Sequence, residues 1–315
     1  MESLPDAVVS HLREVVSRPD FTGTRYEVID EIGHGGMGTV YAALDARLDR
    51  RVALKVLNIL DLDGHAAARM AEEARILARL EHPGIVPVHD FGELPDGRVF
   101  YAMKLVDGTR LDRYAQAQPP LAERLRVFLR ICETVAFAHS QGVIHRDLKP
   151  QNIMVGPFGE VLVLDWGVAK ITGVAHDLLP ANPTVRSGTA AGTAVGTAGY
   201  RAPEQASGAL DEVDARSDIY SLGKTLEALM AGGEIPRRLS AIWKKAASPE
   251  RNVRYAKVAD LVADVERFQD GERVLAYHET PVERLGRFVA RNRMVVLLVA
   301  TYLVMRVLLF FFPWR

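Results

Sequence analysis

Cysteine is almost missing from this sequence: Cys132 stands alone among 315 residues. That excludes an internal disulfide and any cysteine-rich zinc site. Its flanks, FLRI and ETVAF, read as an apolar helix and place it as a small core residue. A charge excess is missing too, since 39 Lys and Arg stand against 40 Asp and Glu. A nucleic-acid partner normally requires a basic field, so none is expected. The N-terminus, MESLPDAVVSHLREVV, lacks a long apolar run and is not a secretory signal.

One long apolar run does occur, at the other end. Residues 294–312 read MVVLLVATYLVMRVLLFFF, just enough for the roughly 20 apolar residues of a bilayer-spanning helix. Arg306 opposes insertion by about 2.5 to 3.5 kcal/mol, and the thirteen Val, Leu and Phe residues offset it with roughly 4 to 8 kcal/mol. The off-centre guanidinium can also snorkel toward the far interface. Arg284, Arg287, Arg291 and Arg293 precede the run, which places residues 1–293 in the cytoplasm by the positive-inside rule. The expectation is a single-pass cytoplasmic-membrane protein: extension 1–25, catalytic domain 26–271, basic juxtamembrane linker 272–293 and transmembrane helix 294–312.

Within residues 1–24 the reading is a short amphipathic helix and a loop. From Tyr26 the runs YEVIDEIG, GTVYAALD and RVALKVLNIL predict strands. A helix follows at about 64–81, then strands at about 85–91 and 98–104. Beyond Asp107 helices dominate, at 121–140, 217–231, 238–247 and 257–270. A β-rich lobe followed by a helical lobe means an α+β fold with two sub-lobes. The stretch SGTAAGTAVGTAG at 187–199 has too little apolar mass to pack and predicts a mobile loop.

Chemistry-bearing residues recur along this frame. The run Gly33-His34-Gly35-Gly36-Met37-Gly38-Thr39-Val40 has the spacing G-x-G-x-x-G, but it leads into a strand instead of the helix of a dinucleotide fold. Glycines here let backbone N–H groups approach phosphates. Lys55, in V-A-L-K, sits on an otherwise apolar strand and needs an anion. Drawn at 100° per residue, the helix at 64–81 has one apolar stripe of Met70, Ala74, Ile76, Leu77 and Leu80. Glu73 falls inside that stripe and Glu72 opposite, which predicts a buried Lys55–Glu73 ion pair. Then come His145-Arg146-Asp147-Leu148-Lys149-Pro150-Gln151-Asn152 and the apolar strand VLVLDWG ending in Asp165. Asp147 can orient or deprotonate a hydroxyl, Lys149 can neutralise phosphate, and Asn152 can offer an oxygen to Mg2+.

These ordered motifs, with Ala202-Pro203-Glu204 and S-D-I-Y-S-L-G at 217–223, resemble a bacterial eukaryotic-type (Hanks-type) serine/threonine protein kinase from Tyr26 to Gly271. The resemblance implies a bilobal protein-kinase fold, ATP and Mg2+ as cofactors, and a protein substrate. It further implies Asp147 as catalytic base, Lys149 as phosphate contact, and Asn152 and Asp165 as metal ligands. Gly33, Gly35, Gly38 and Val40 would cover the nucleotide, with Lys55 on its phosphates and Glu73 positioning Lys55. Met103 would be the gatekeeper, and Lys104 to Val106, with Leu105 at their centre, the adenine hinge. Glu204 would pair with Arg254, and Asp218 would brace the catalytic loop. Thr184, Ser187, Thr189 and Thr193 are candidate activation-loop phosphorylation sites, and Thr197 fits the threonine that touches Asp147 and Lys149.

A second Asp-Phe-Gly, at 90–92, precedes the catalytic loop in chain order, so Asp165 and not Asp90 is the expected metal ligand. Trp166 replaces the usual Phe after it. The sequence also departs from the family after Met230, where a helix and loops that dock substrates are missing. A sensory ectodomain is not expected beyond the span. The leading expectation is an active membrane-tethered kinase that autophosphorylates, helped by self-association. The alternatives are a nucleotide-binding pseudokinase or scaffold, against which the complete residue set argues, and a small-molecule phosphotransferase, against which Lys149, Thr197 and Ala202-Pro203-Glu204 argue.

Overall fold

The computed structural model describes residues 19–35, 38–58, 64–166, 170–171, 198–207, 213–233 and 235–311. The helix expected within 1–24 falls largely outside these residues, as do Gly36, Met37, Thr184, Ser187, Thr189, Thr193 and Thr197.

Strands β1 (Tyr26–His34), β2 (Gly38–Asp45), β3 (Arg50–Leu57), β4 (Val88–Glu93) and β5 (Val99–Lys104) form an antiparallel sheet in the order β1-β2-β3-β5-β4. Alternation along β3 explains its two faces. Val52, Leu54 and Val56 pack with Tyr26, Phe100 and Ala102 on the outer side, while Lys55 pairs in register with Val40 and Tyr101. The turn from β4 to β5 has Pro95 and Asp96 at its centre and Gly97 at φ 82°, closed by Leu94 and Arg98. Proline pre-sets one corner of such a turn and glycine takes the left-handed one.

Helix α1 (His65–Arg79) packs on the other face of the sheet. Its buried side chains include Met70, Glu73, Ala74, Ile76 and Leu77, with Leu80 just beyond its end, while Glu72 turns out to Arg75. That is the stripe the 100° spacing predicts. One strand differs from expectation: β4 starts at Val88 and not near residue 85. Pro87 has no N–H for a ladder, and Ile85 instead bridges Val163 in parallel.

The second lobe begins with β6 (Thr109–Arg110), α2 (Leu111–Gln116), α3 (Leu121–Ser140) and β7 (Val143–Ile144). A three-residue helical turn, Pro150–Asn152, leads to β8 (Ile153–Val155) and β9 (Val161–Val163). The lobe continues through β10 (Lys170–Ile171), α4 (Pro203–Ala206), α5 (Ala215–Leu229), α6 (Arg237–Ala246) and α7 (Val258–Gln269). Its core centres on α3, where Phe128, Ile131, Cys132 and Val135 are fully buried, against Leu222 and Leu226 of α5 and Leu261 of α7. Only residues 230–236 separate helix α5 from α6. The two helices touch closely at Gly223: a Cβ there would lie 2.7 Å from the Ala247 nitrogen.

Residues 272–293 are more than a linker, because they carry a docked segment and helix α8 (Pro281–Arg291). Helix α9 (Arg293–Phe311) follows it. Apart from half-buried Val296, the described side chains of α9 are exposed. Among the described residues no single helix is long and apolar enough to cross a membrane; α8 and α9 reach that composition only as a pair bent by 92°.

Candidate active site

Between the lobes lies a cleft of about 1050 Å³, lined by Gly33, Val40, Ala53, Lys55, Met103, Leu105, Asp147, Asn152 and Asp165 among others. The sheet supplies its roof. Gly38 begins β2 so close to β3 that a Cβ would meet the Val56 carbonyl oxygen at 2.5 Å, whereas Gly33 and Gly35 have nothing nearer than 3.6 Å. The Gly35 N–H donates to the Gly38 carbonyl at 3.0 Å. Asn58 clamps the loop further, donating to the Gly35 carbonyl at 3.1 Å and accepting from the Thr39 hydroxyl at 2.6 Å.

Lys55 Nζ lies 2.8 and 3.0 Å from the two Glu73 carboxylate oxygens and 3.2 Å from Asp165 Oδ1. Both members of the pair are buried. Desolvation works against the lysine charge, but the Tyr101 oxygen and the Glu73 and Asp165 carboxylates outweigh it and raise the lysine pKa. Desolvation likewise pushes Asp165 up, and Lys55 more than reverses this, leaving that carboxyl below the usual range. Tyr101 was not foreseen. Its hydroxyl donates to Glu73 Oε1 at 2.9 Å. The signal was a tyrosine two residues before Met103 on a strand facing the α1 stripe.

Across the cleft, Lys149 Nζ stands 2.6 Å from Asp147 Oδ2. Asn152 Nδ2 donates to the Asp147 carbonyl at 2.9 Å, which leaves its side-chain oxygen available. Arg146 and Asp165 both adopt left-handed backbone, at φ 70° and 59°, an uncommon conformation for side-chain-bearing residues that is held here by surrounding contacts. Fully buried Asp218 accepts the backbone N–H groups of His145 and Arg146, each at 2.9 Å, and pairs with His139 Nε2 at 2.7 Å. Burial alone would raise its pKa, yet these donors lower it. Trp166 is buried, donates its indole N–H to the Val163 carbonyl at 3.2 Å and lies against His145.

Glu204 and Arg254 form a buried two-point pair at 2.8 and 2.9 Å, joined by the Ser217 hydroxyl. Gln205, also unforeseen, donates to the Arg146 carbonyl at 2.7 Å and ties α4 to the catalytic loop. Asp90 is occupied elsewhere, accepting from Tyr26 and pairing with Arg25, both at 2.9 Å. It braces the N-terminal lobe and is not among the residues that line the cleft.

A two-lobed fold with these groups in the cleft is that of a protein kinase. Residues 26–267 match the protein kinase domain family, and the chain belongs to it. It is 34% identical over 298 residues to serine/threonine-protein kinase PknD of Protochlamydia amoebophila, covering 78% of this chain and 30% of that protein. It is 42% identical over 215 residues to serine/threonine-protein kinase pkn3 of Myxococcus xanthus, covering 66% and 38%. With PknB of Mycolicibacterium smegmatis it shares 34% over 291 residues, covering 82% and 45%. The chain thus spans less than half the length of these curated relatives. Among solved structures, the Mycobacterium tuberculosis PknI kinase domain matches with a TM-score of 0.56 at 25% identity, over 77% of this chain and 95% of that one.

Proposed function

We propose that the protein is an active serine/threonine kinase, transferring the γ-phosphate of ATP to Ser/Thr hydroxyls of a protein substrate and of its own activation loop. The convergence of Lys55, Glu73 and Asp165 with Asp147, Lys149 and Asn152 on one cleft carries this reading. The site fits its nucleotide: Gly33, Gly35 and Gly38 line the roof of the cleft, and Met103 and Leu105 line the end where adenine would sit. It also fits a hard divalent ion, because Asn152 and Asp165 offer oxygen donors of the kind Mg2+ takes.

Asp147 would accept the substrate hydroxyl proton as that oxygen bonds to the γ-phosphorus and the bond to the β-phosphate oxygen breaks. Lys149 would stabilise the charge on the transferring group, and Lys55, held by Glu73, would fix the phosphates already in the nucleotide. Asn152 and Asp165 would hold a divalent ion, which would supply further charge neutralisation. The protein's share is positioning and electrostatics, with no covalent enzyme intermediate.

Arg146 supports control by phosphorylation at Thr184, Ser187, Thr189 or Thr193. Its buried Nε has no hydrogen-bond partner among the described residues, an arrangement that a phosphate could complete. Thr197 would act in substrate binding beside Asp147 and Lys149. We further propose that residues 294–312 anchor the chain in the cytoplasmic membrane with the kinase domain on the cytoplasmic side. The exposed, all-round apolar surface of α9 supports this. Anchored copies meeting in the membrane would gain effective concentration for trans-autophosphorylation.

The test is full-length chain with γ-labelled ATP and Mg2+ beside an Asp147→Asn control, with phosphosites mapped by mass spectrometry. Label on the wild type alone supports the kinase. Bound nucleotide without transfer overturns it in favour of a scaffold. Resistance to alkaline extraction from membranes tests the anchor.

A further inference from the structure

Helix α8 sits on the protein the wrong way round for a soluble surface helix. At 100° per residue its apolar residues Leu285, Phe288, Val289 and Val282 fill one arc, and Glu283, Arg284, Arg287 and Arg291 fill the opposite one. A helix packed on a globular domain normally turns its apolar arc inward. Here the polar arc makes the contacts to the protein. Arg287 forms a two-point pair with Glu279 at 3.0 and 2.7 Å, and Glu283 accepts from the Tyr277 hydroxyl at 2.9 Å. The apolar arc faces out, with Val282 79% and Leu285 64% exposed.

The segment leading into α8 is fixed to the kinase lobe. Buried Asp264 accepts the backbone N–H groups of Leu275 and Ala276 at 2.8 and 2.9 Å, and Val274 is fully buried in the core. Glu279 also faces Arg238 of α6 at 3.7 Å, and Arg238 donates to the Glu272 carbonyl. Thr280 and Glu283 cap the helix reciprocally, with Pro281 at its first position. Position and direction of α8 are therefore set by the catalytic domain.

We propose that α8 lies flat in the headgroup region of an anionic membrane and holds the kinase domain at a fixed orientation to the bilayer. This rests on the membrane reading of α9. Three observations select lipid as the occupant. The outward arc is apolar. The all-round apolar α9 leaves α8 at 92°, the relation of an in-plane helix to one entering the bilayer. Exposed Arg284 borders the apolar arc, and the sequence adds Arg291 and Arg293 between it and the apolar run, a basic segment complementary to anionic headgroups.

The experiment uses full-length protein reconstituted in vesicles of phosphatidylcholine with or without phosphatidylglycerol. Single environment-sensitive fluorophores are attached at Phe288→Cys, at Leu285→Cys as a second site on the same arc, at Val299→Cys in α9 and at Phe158→Cys, a 95% exposed control. Cys132 is buried with its thiol pKa pushed up by burial and does not compete for dye. Bromines placed shallow or deep in the lipid chains act as quenchers. The expected result is deep quenching at 299, shallow quenching at 285 and 288 that weakens about tenfold without phosphatidylglycerol, and none at 158. Quenching at 299 with 285 and 288 still in water overturns the proposal and leaves the anchor standing. No quenching at 299 overturns the anchor and the proposal with it. Shielding of 285 and 288 that grows with protein concentration in lipid-free detergent assigns the face to a second copy and overturns the lipid assignment.

Discussion

The Tyr101 hydroxyl donates to Glu73 Oε1 at 2.9 Å while Lys55 Nζ holds the same carboxylate at 2.8 Å, with both carboxylate and phenol buried. Strand β5 thereby holds α1 in the position that completes the Lys55–Glu73 pair. Burial pushes the phenol pKa well up, so Tyr101 remains a donor at any physiological pH. A hydrogen bond to a charged group is worth about 1.5–3 kcal/mol. Tyr101→Phe should therefore lower phosphoryl transfer roughly tenfold, mostly by weakening ATP binding, and leave the fold intact. An unchanged KM for ATP and an unchanged rate would show that the hydroxyl does not position the pair.

Charge balance at that site makes a second prediction. Removing one partner of a buried ion pair costs about 3–5 kcal/mol because the other charge is left unpaired. Lys55→Met should lower the melting temperature and abolish transfer. Adding Glu73→Gln should restore much of the thermal stability without restoring activity. Equal melting temperatures for the single and double variants would contradict a pair that stabilises through charge compensation.

The glycines of the loop should differ in kind. Gly38→Ala forces a Cβ to 2.5 Å from the Val56 carbonyl, and the neighbour that must move is backbone. It should lower thermal stability and raise KM for ATP together. Gly33→Ala, whose nearest neighbour is 3.9 Å away, should leave stability unchanged. Thermal denaturation of both variants beside ATP titrations separates the two effects.

Acid should unfold the protein through its buried carboxylates. Burial works against the charge on Asp218 and Glu204, but the His139 donor and the Arg254 pair hold both pKa values below their ordinary values of 3.8 and 4.5. A depressed folded pKa adds stability that is complete above the unfolded value and lost as pH falls through it toward the folded one. Denaturant midpoints should stay flat from pH 7 to about 5 and fall steeply below about 4.5. Asp218→Asn should start from a lower plateau and show a shallower acid limb. An unaltered limb would place the acid sensitivity elsewhere.

Local pattern was enough to read several parts of the fold. The 100° spacing of α1 placed Glu73 among Met70, Ala74 and Leu77 and so announced the ion pair, because a carboxylate on a buried face requires a cation. Chain order alone separated Asp165 from Asp90, since only the former follows the catalytic loop. Where β4 begins was less legible. Strand-like composition extends back to Ile85, but the missing N–H of Pro87 and the pairing of Ile85 with Val163 moved the ladder to Val88.

Sequence by itself singled out the candidate chemistry-bearing residues and the order of the elements that hold them, because hydrophobic period and motif spacing are local properties of the chain. Only the tertiary structure decided which distant groups share one hydrogen-bond network. Tyr101 meets Glu73 across 28 positions, His139 meets Asp218 across 79, and Gln205 reaches Arg146 across 59; no local period encodes such pairings. Nor does the helical wheel of α8 say which arc faces the protein. That was settled by Glu279, buried beneath Arg238 and Arg287, whose charge drew the polar arc inward and turned the apolar one out.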